Sequence, residues 1–147
     1  MISFKVLAEN QIDIVLQMMQ DFYAIDNYPI DIEISSKMFQ EFVRNENLGK
    51  CYLIYDDLQI VGYFTLTFIF SFEYQGRLAF LDDLFICESA RGKSIGKQTI
   101  AFIKKVSPSF NIKIMYLEVE KHNHLAQNLY IANGFDWHNR QIMKLKL

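Results

Sequence analysis

An apolar run with two adjacent carboxylates, Phe80-Leu81-Asp82-Asp83-Leu84-Phe85-Ile86, leads into the basic turn Arg91-Gly92-Lys93-Ser94-Ile95-Gly96-Lys97. Neighbouring carboxylates raise each other's pKa, and a strand's alternation sends their side chains to opposite faces, so at most one is expected to point into a given pocket. The turn suits the opposite charge. Where a strand feeds a glycine-containing turn that opens a helix, the first N–H groups have no internal acceptors and the dipole adds positive potential, which together hold phosphate oxygens. Arg91, Lys93 and Lys97 add side-chain charge. The GxxxxGK[ST] spacing is absent, so this is not a Walker-type loop. A short glycine motif also serves plain turn geometry, and on the motif alone the two readings stand level.

A second constellation is Asn123-His124-Leu125-Ala126-Gln127-Asn128-Leu129-Tyr130, followed by Asn133-Gly134-Phe135. On a helix Asn123, Ala126, Gln127 and Tyr130 share one face, and the small residue between polar ones leaves a shallow groove. Taken alone, a capping Asn with a partly buried Tyr explains this pattern better. His122 and His124 fit capping or solvent exposure at the helix start, and His138 stands near the C-terminal end. No metal-ligand spacing occurs, so no metal is expected. Cys51 and Cys87 lie in apolar runs outside any CxxC or Cys/His cluster, which excludes a disulfide framework or zinc site and fits reduced thiols in a cytoplasm.

The elements that must hold these residues follow from periodicity. Ile12, Val15, Leu16, Met19, Phe22 and Tyr23 recur at helical spacing, with Asn10 as the expected cap. Tyr28-Pro29 interrupts, and Ser35 or Ser36 is expected to cap a second helix bearing Met38, Phe39, Phe42 and Val43, closed by Leu48-Gly49. Cys51–Tyr55, Ile60–Phe72 and Leu78–Ile86, divided by short polar turns, predict a three-stranded antiparallel meander. Then come a helix from Ile95 to Val106, a strand from Lys113 to Val119, a helix from about Asn123 to Ala132 stopped by Asn133-Gly134, and a last strand or hairpin from Phe135. The order predicts an α+β domain with a mixed central sheet, its N-terminal part an antiparallel meander, flanked by helices.

The 147 residues have room for one domain, and 51% hydrophobic content excludes a disordered chain. A net charge of −2 argues against nucleic acid or an anionic membrane as partner. The first ten residues lack a leader-length apolar stretch, and Ile60–Phe72 is too short to span a bilayer, so a cytoplasmic protein is expected.

Together and in this order, the two constellations resemble the GNAT superfamily of acyl-CoA-dependent N-acetyltransferases, over nearly the whole chain. Arg91, Ile95 and Gly96 fall in frame with the family's Q/R-x-x-G-x-G/A signature, with Ser94 where the family has its middle glycine. The later helix matches Asn-x-x-Ala-x-x-x-Tyr-x-x-x-Gly-Phe from Asn123 to Phe135. The resemblance implies one N-acetyltransferase domain over residues 1–147, with a splayed cleft that takes acetyl-CoA as co-substrate. It implies that backbone groups of Leu84, Phe85 and Ile86 pair with the pantetheine arm. Arg91 and the run Gly92, Lys93, Ser94, Ile95, Gly96 and Lys97 would hold the pyrophosphate, and Asn123 and Ala126 would border the pantetheine. Tyr130 would be the general acid to the departing thiolate. A protonated amine must lose a proton before attack, and Asp82 and Asp83 are the candidate bases, with Glu118 or a water chain as alternatives. The acidic, aromatic segment Asp21–Glu33 would meet the acceptor through Tyr23, Asp26 and Tyr28 by charge and cation–π contact, or else be a solvated helix end whose tyrosines pack on the core. The expected partner is a small-molecule or peptide amine, with a second copy of the chain as a further candidate. The competing reading is a non-catalytic acyl-CoA-binding module, favoured only by Ser94.

Overall fold

Alternation along Cys51–Tyr55 sends Cys51, Leu53 and Tyr55 to one face of a sheet and Tyr52 and Ile54 to the other, and all are buried. A strand buried on both faces needs cover on both. In the computed structural model, which describes every residue from Met1 to Leu147, helices supply it. The order is β1 (Ile2–Val6), α1 (Ile12–Ile25), α2 (Ile32–Arg44), β2 (Gly49–Asp56), β3 (Gln59–Ser71), β4 (Gly76–Ile86), α3 (Ile95–Val106), β5 (Ile112–Tyr116) and α4 (His124–Ala132). The strands form one sheet in the order β1-β2-β3-β4-β5, antiparallel except for the parallel β4–β5 pair. This is the expected α+β mixed sheet. Val15, Leu16, Met19 and Phe39 of α1 and α2 pack on Leu53, Tyr63 and Phe85. On the other face Ile95 and Ile103 of α3, with Tyr130 of α4, pack on Ile54, Phe64 and Leu66. Each fully buried Leu or Phe contributes about 2–3 kcal/mol. No helix is long and apolar enough to cross a membrane.

The meander, α3 and α4 form where their patterns predict, with small shifts of boundary, but other expectations need correction. β1 is an additional edge strand; five residues were too few to register as an alternating pattern against β2, which they pair from Ile2↔Asp56 to Val6↔Tyr52. Asn10 does not cap α1. It lies in a 3-10 turn, Glu9–Gln11, closed by the Ala8 N–H donating to Gln11 Oε1 at 3.2 Å. Nor do Ser35 or Ser36 cap α2, since both lie within it. Asp31 does so from a turn earlier, its Oδ1 accepting the Ile34 N–H at 3.0 Å. Phe135–Leu147 forms neither strand nor hairpin. It runs exposed and pairs with no strand, tied by Arg140 to the Glu73 carboxylate at 3.0 Å and by His138 against the Tyr116 ring.

Two irregularities of β4 shape the molecule. In its pairing with β3, Thr65 faces Asp83 and Leu66 faces Leu81, so Asp82 is an extra residue, a β-bulge. Leu81 and Leu84 join the α3 side while Phe85 joins the α1–α2 side. The expected alternation of the two aspartates is therefore broken. The second irregularity is that β4 pairs with β5 only from Arg77 to Phe80. Beyond that point the strands part and the outer edge of Leu81–Ile86 has no strand beside it. On its inner edge the sheet is tight: a Cβ on Gly62 would lie 2.2 Å from the Phe85 carbonyl oxygen.

Candidate active site

Where β4 and β5 part, a cavity of about 650 Å³ opens toward α4 and the link between α1 and α2. It gathers the predicted catalytic residues Asp82, Asp83 and Tyr130, the predicted acceptor residues Tyr23, Asp26 and Tyr28, and Leu84, Asn123 and Ala126 of the predicted cofactor set. Glu118 lines it too. Both aspartates border this one cavity, contrary to the expectation that only one would; the bulge at Asp82 is the reason.

Asp83 is 6% exposed. Its Oδ2 accepts the Tyr63 hydroxyl at 3.1 Å, and its own N–H donates to Thr65 Oγ1 at 3.0 Å. Burial, and then the charge of Asp82, push its pKa up to about 7, against the weaker pull of the Tyr63 hydrogen bond. Burial also raises the Asp82 pKa. Neither carboxylate has a cationic partner among the ion pairs of the chain. Burial lifts the Tyr130 phenol to about 12, so it keeps its proton at neutral pH. Its ring meets Phe135 edge-on at 5.5 Å between centroids. No fully buried side-chain polar atom is left unpaired, so the Tyr130 hydroxyl, which bonds to nothing in the chain, is open to solvent, and the residue borders both this cavity and a second one lined by Phe135.

At the end of β4 the amides from Gly92 to Lys97 donate to no acceptor within the chain, and the first that does is Gln98, to the Ser94 carbonyl at 3.1 Å. Free amides at a helix start, among Arg91, Lys93 and Lys97, fit a pyrophosphate. Arg91 also braces the loop, its Nε donating to the Ile86 carbonyl at 3.1 Å, and Lys93 leans toward Asp56 with 3.7 Å between Nζ and Oδ2. Cys87 donates its N–H to Val61 of β3 and the Phe85 carbonyl faces Gly62, so alternation turns the backbone groups of Leu84 and Ile86 to the open edge. Phe85 differs from its expected role here, because its backbone faces β3 and its ring lies in the α1–α2 core.

The glycines of the loop divide their work. Gly92, at φ +80°, has no atom within 4 Å of where a Cβ would sit, whereas a Cβ on Gly96 would come within 2.9 Å of Leu129 of α4. Gly96 therefore lets α3 and α4 approach each other. Ser94 takes φ +59°, the left-handed conformation that its glycine counterpart adopts freely, and its side chain caps nothing. Ser94→Gly is expected to raise stability by about 0.5–1 kcal/mol, the relief of strain exceeding the added chain entropy. Equilibrium urea unfolding of the two proteins measures this; a less stable glycine variant contradicts it.

Asn123 is engaged as a cap, its Oδ1 accepting the Ala126 N–H at 3.1 Å, while still bordering the cavity. Sequence reasoning missed the contacts that close the cavity rim. His122 Nε2 lies 2.9 Å from Asp26 Oδ1, and the Tyr28 hydroxyl donates to Glu120, so the α1–α2 link is joined to the segment before α4. It also missed Tyr63 and Thr65, which hold Asp83. Their signal, a Tyr and a Thr two apart within an apolar strand, is indistinguishable from sheet packing without the register.

A mixed sheet that parts between its fourth and fifth strands, with an anion-receptive turn closing the fourth, defines a protein of the GNAT acetyltransferase fold. Residues 15–135 match the family described as the Acetyltransferase (GNAT) family, and the chain belongs to it. It is 31% identical over 78 residues to "Uncharacterized N-acetyltransferase YhfO" of Bacillus subtilis (strain 168), covering 53% of this chain and 52% of that one. The chain thus spans about half the length of the curated relative it matches. Among solved structures it is similar to a possible acetyltransferase from Clostridium difficile 630, at TM-score 0.88 and 18% identity over 99% of this chain and 97% of that one. It is also similar to a predicted acetyltransferase with acetyl-CoA from Clostridium acetobutylicum, at TM-score 0.83 and 14% identity over 99% and 96%. At these identities the likeness establishes the fold.

Proposed function

We propose that this chain moves an acetyl group from acetyl-CoA to a primary amine, donor and acceptor being bound together. The observation that carries this reading is the meeting, in one cavity beside an open strand edge, of two carboxylates without cationic partners and a protonated phenol without a hydrogen-bond partner. Acetyl-CoA supplies the acetyl group already activated as a thioester. The free amides of Gly92–Lys97 hold its pyrophosphate, and the edge groups of Leu84 and Ile86 pair with the amide-bearing arm. A simple primary amine has a pKa near 10 and arrives as an ammonium ion. Asp82 and Asp83 attract and orient it. Asp83, poised at about 7, takes one proton from nitrogen and frees the lone pair. Tyr130 holds its proton at the phenolic oxygen until the sulfur of the leaving group needs it. As the C–N bond forms and the C–S bond breaks, that transfer runs from a phenol to a thiolate whose conjugate acid is near 8.5, feasible through a formed hydrogen bond, and the second proton of the new amide nitrogen restores the phenol.

The experiment is a titration with acetyl-CoA alongside an assay of free-thiol release over a panel of primary amines. Saturable binding together with amine-dependent release of CoA is the expected result. Binding without release for any amine supports the acyl-CoA-binding module instead, and no binding at millimolar acetyl-CoA overturns both.

A further inference from the structure

A second chamber, of about 300 Å³, lies between α1, α2 and the sheet. Tyr23, Pro29, Asp82 and Asp83 line both this chamber and the cleft, so the carboxylates stand at the boundary between the two. Of the rest of its lining, Met19, Ile30, Ile34, Met38, Phe39 and Phe42 are apolar, and Asp31, Ser35, Thr65 and Thr67 are polar. Ile34 and Met38 are 56% and 62% exposed, apolar side chains at the wall of a cavity rather than in a core. The one other carboxylate there, Asp31, is engaged in capping α2, and Thr65 Oγ1 accepts the Asp83 N–H. Two carboxylates thus stand together at the boundary with the cleft, while Ile34, Met38, Phe39 and Phe42 make most of the α2 wall, which also carries Asp31 and Ser35.

We propose that this chamber receives the acceptor and selects a primary amine whose remaining body is apolar, an arylalkyl or branched alkyl amine, with its ammonium group at Asp82 and Asp83 and its carbon body against α2. The inference rests on the acetyl-transfer reading for the use made of the bound amine, and on the chamber alone for the binding. A polyamine or a polyhydroxylated amine would set cationic or polar groups against Ile34, Met38, Phe39 and Phe42, with only Asp31, Ser35 and Thr67 near to partner them, a penalty an apolar body avoids. The volume is at the lower limit for small-molecule sites, which fits a compact monoamine.

The test is calorimetric titration of the full chain at pH 8 with 2-phenylethylamine, 1,4-diaminobutane and 2-phenylethanol. The first is expected to bind at least tenfold more tightly than the second, which lacks the apolar body, and than the third, which lacks the charge. The double substitution Ile34→Ser with Met38→Ser, at exposed positions of α2, should weaken 2-phenylethylamine about tenfold and leave 1,4-diaminobutane within about twofold. Asp82→Asn should weaken both amines and spare the alcohol. Equal or tighter binding of the diamine or the alcohol overturns the proposal, as does indifference of 2-phenylethylamine to the α2 substitutions. Acetylation of the diamine in preference to 2-phenylethylamine overturns this inference and leaves the transferase reading intact. Tight binding of 2-phenylethylamine with no amine acetylated does the reverse.

Discussion

Tyr130→Phe is expected to lower kcat by about 10²–10³-fold and to leave the dissociation constant for acetyl-CoA within about twofold. The hydroxyl bonds to nothing in the chain, so its removal orphans no partner, and burial of the remaining ring against Phe135 is unchanged. The variant should melt within a few degrees of the parent. Loss of turnover with stability and binding retained is the pattern of a group that acts only as the leaving sulfur takes its proton. A fluorescence or calorimetric titration with acetyl-CoA, paired with a thiol-release assay at saturating amine, checks both halves. If kcat is unchanged, Tyr130 has no part in the mechanism.

Asp83→Asn separates catalysis from stability through pH. In the unfolded chain an aspartate releases its proton near pH 4, while in the folded protein burial and Asp82 hold the Asp83 proton to about 7. Between those values the folded state binds the proton that the unfolded state has lost, so stability falls as pH rises through that window and levels off above it. The contribution is fully present below the unfolded pKa and gone above the folded one. A shift of this size corresponds to about 2–4 kcal/mol. Asparagine does not ionise and can still accept from Tyr63, so the variant escapes the loss. It should match the parent near pH 4 and be more stable by about that amount at pH 8, in urea melts at each pH. Its activity should move the other way. The parent's kcat/KM is expected to rise with pH to a bend near 7, and the variant to lose that limb with about 10²-fold of rate. A variant no more stable at pH 8 than the parent would show that Asp83 does not hold its proton in the fold.

The parts of this site that could be read in advance are those set by short stretches of chain. The basic turn and the face bearing Asn123, Ala126 and Tyr130 depend on local spacing, and they took the backbone forms their residues predict. Ser94 departs from this rule, since its left-handed backbone is not the form a serine favours. What was not legible depends on pairing between distant segments. The bulge is a relation between Asp82 and strand β3, and no feature of residues 80–86 alone distinguishes it from plain alternation. Asp26 looked like a free anion on the acceptor side, yet His122, 96 residues away in sequence, lies against it. Asp31 is a different case. An aspartate caps as well as a serine, but the expectation fell on the two serines further on, and the chain leaving Pro29 reaches a helical path at the aspartate first. The tail from Phe135 carries apolar residues in a strand-like rhythm, but rhythm supplies no partner edge.

The bulge on β4 also bears on how such a protein could arise. Leu81 lies opposite Leu66 and Asp83 opposite Thr65, so excising codon 82 would leave the flanking pairs in an uninterrupted antiparallel ladder, with no turn re-formed and no side chain changing faces. Strands ordinarily tolerate insertions and deletions poorly, because a slip of one residue turns the core outward. Here the extra residue is absorbed where it occurs. A single in-frame event of three nucleotides is then enough to add or remove one carboxylate at the cleft, and the ancestry of the site can be sought in relatives one residue shorter at this position.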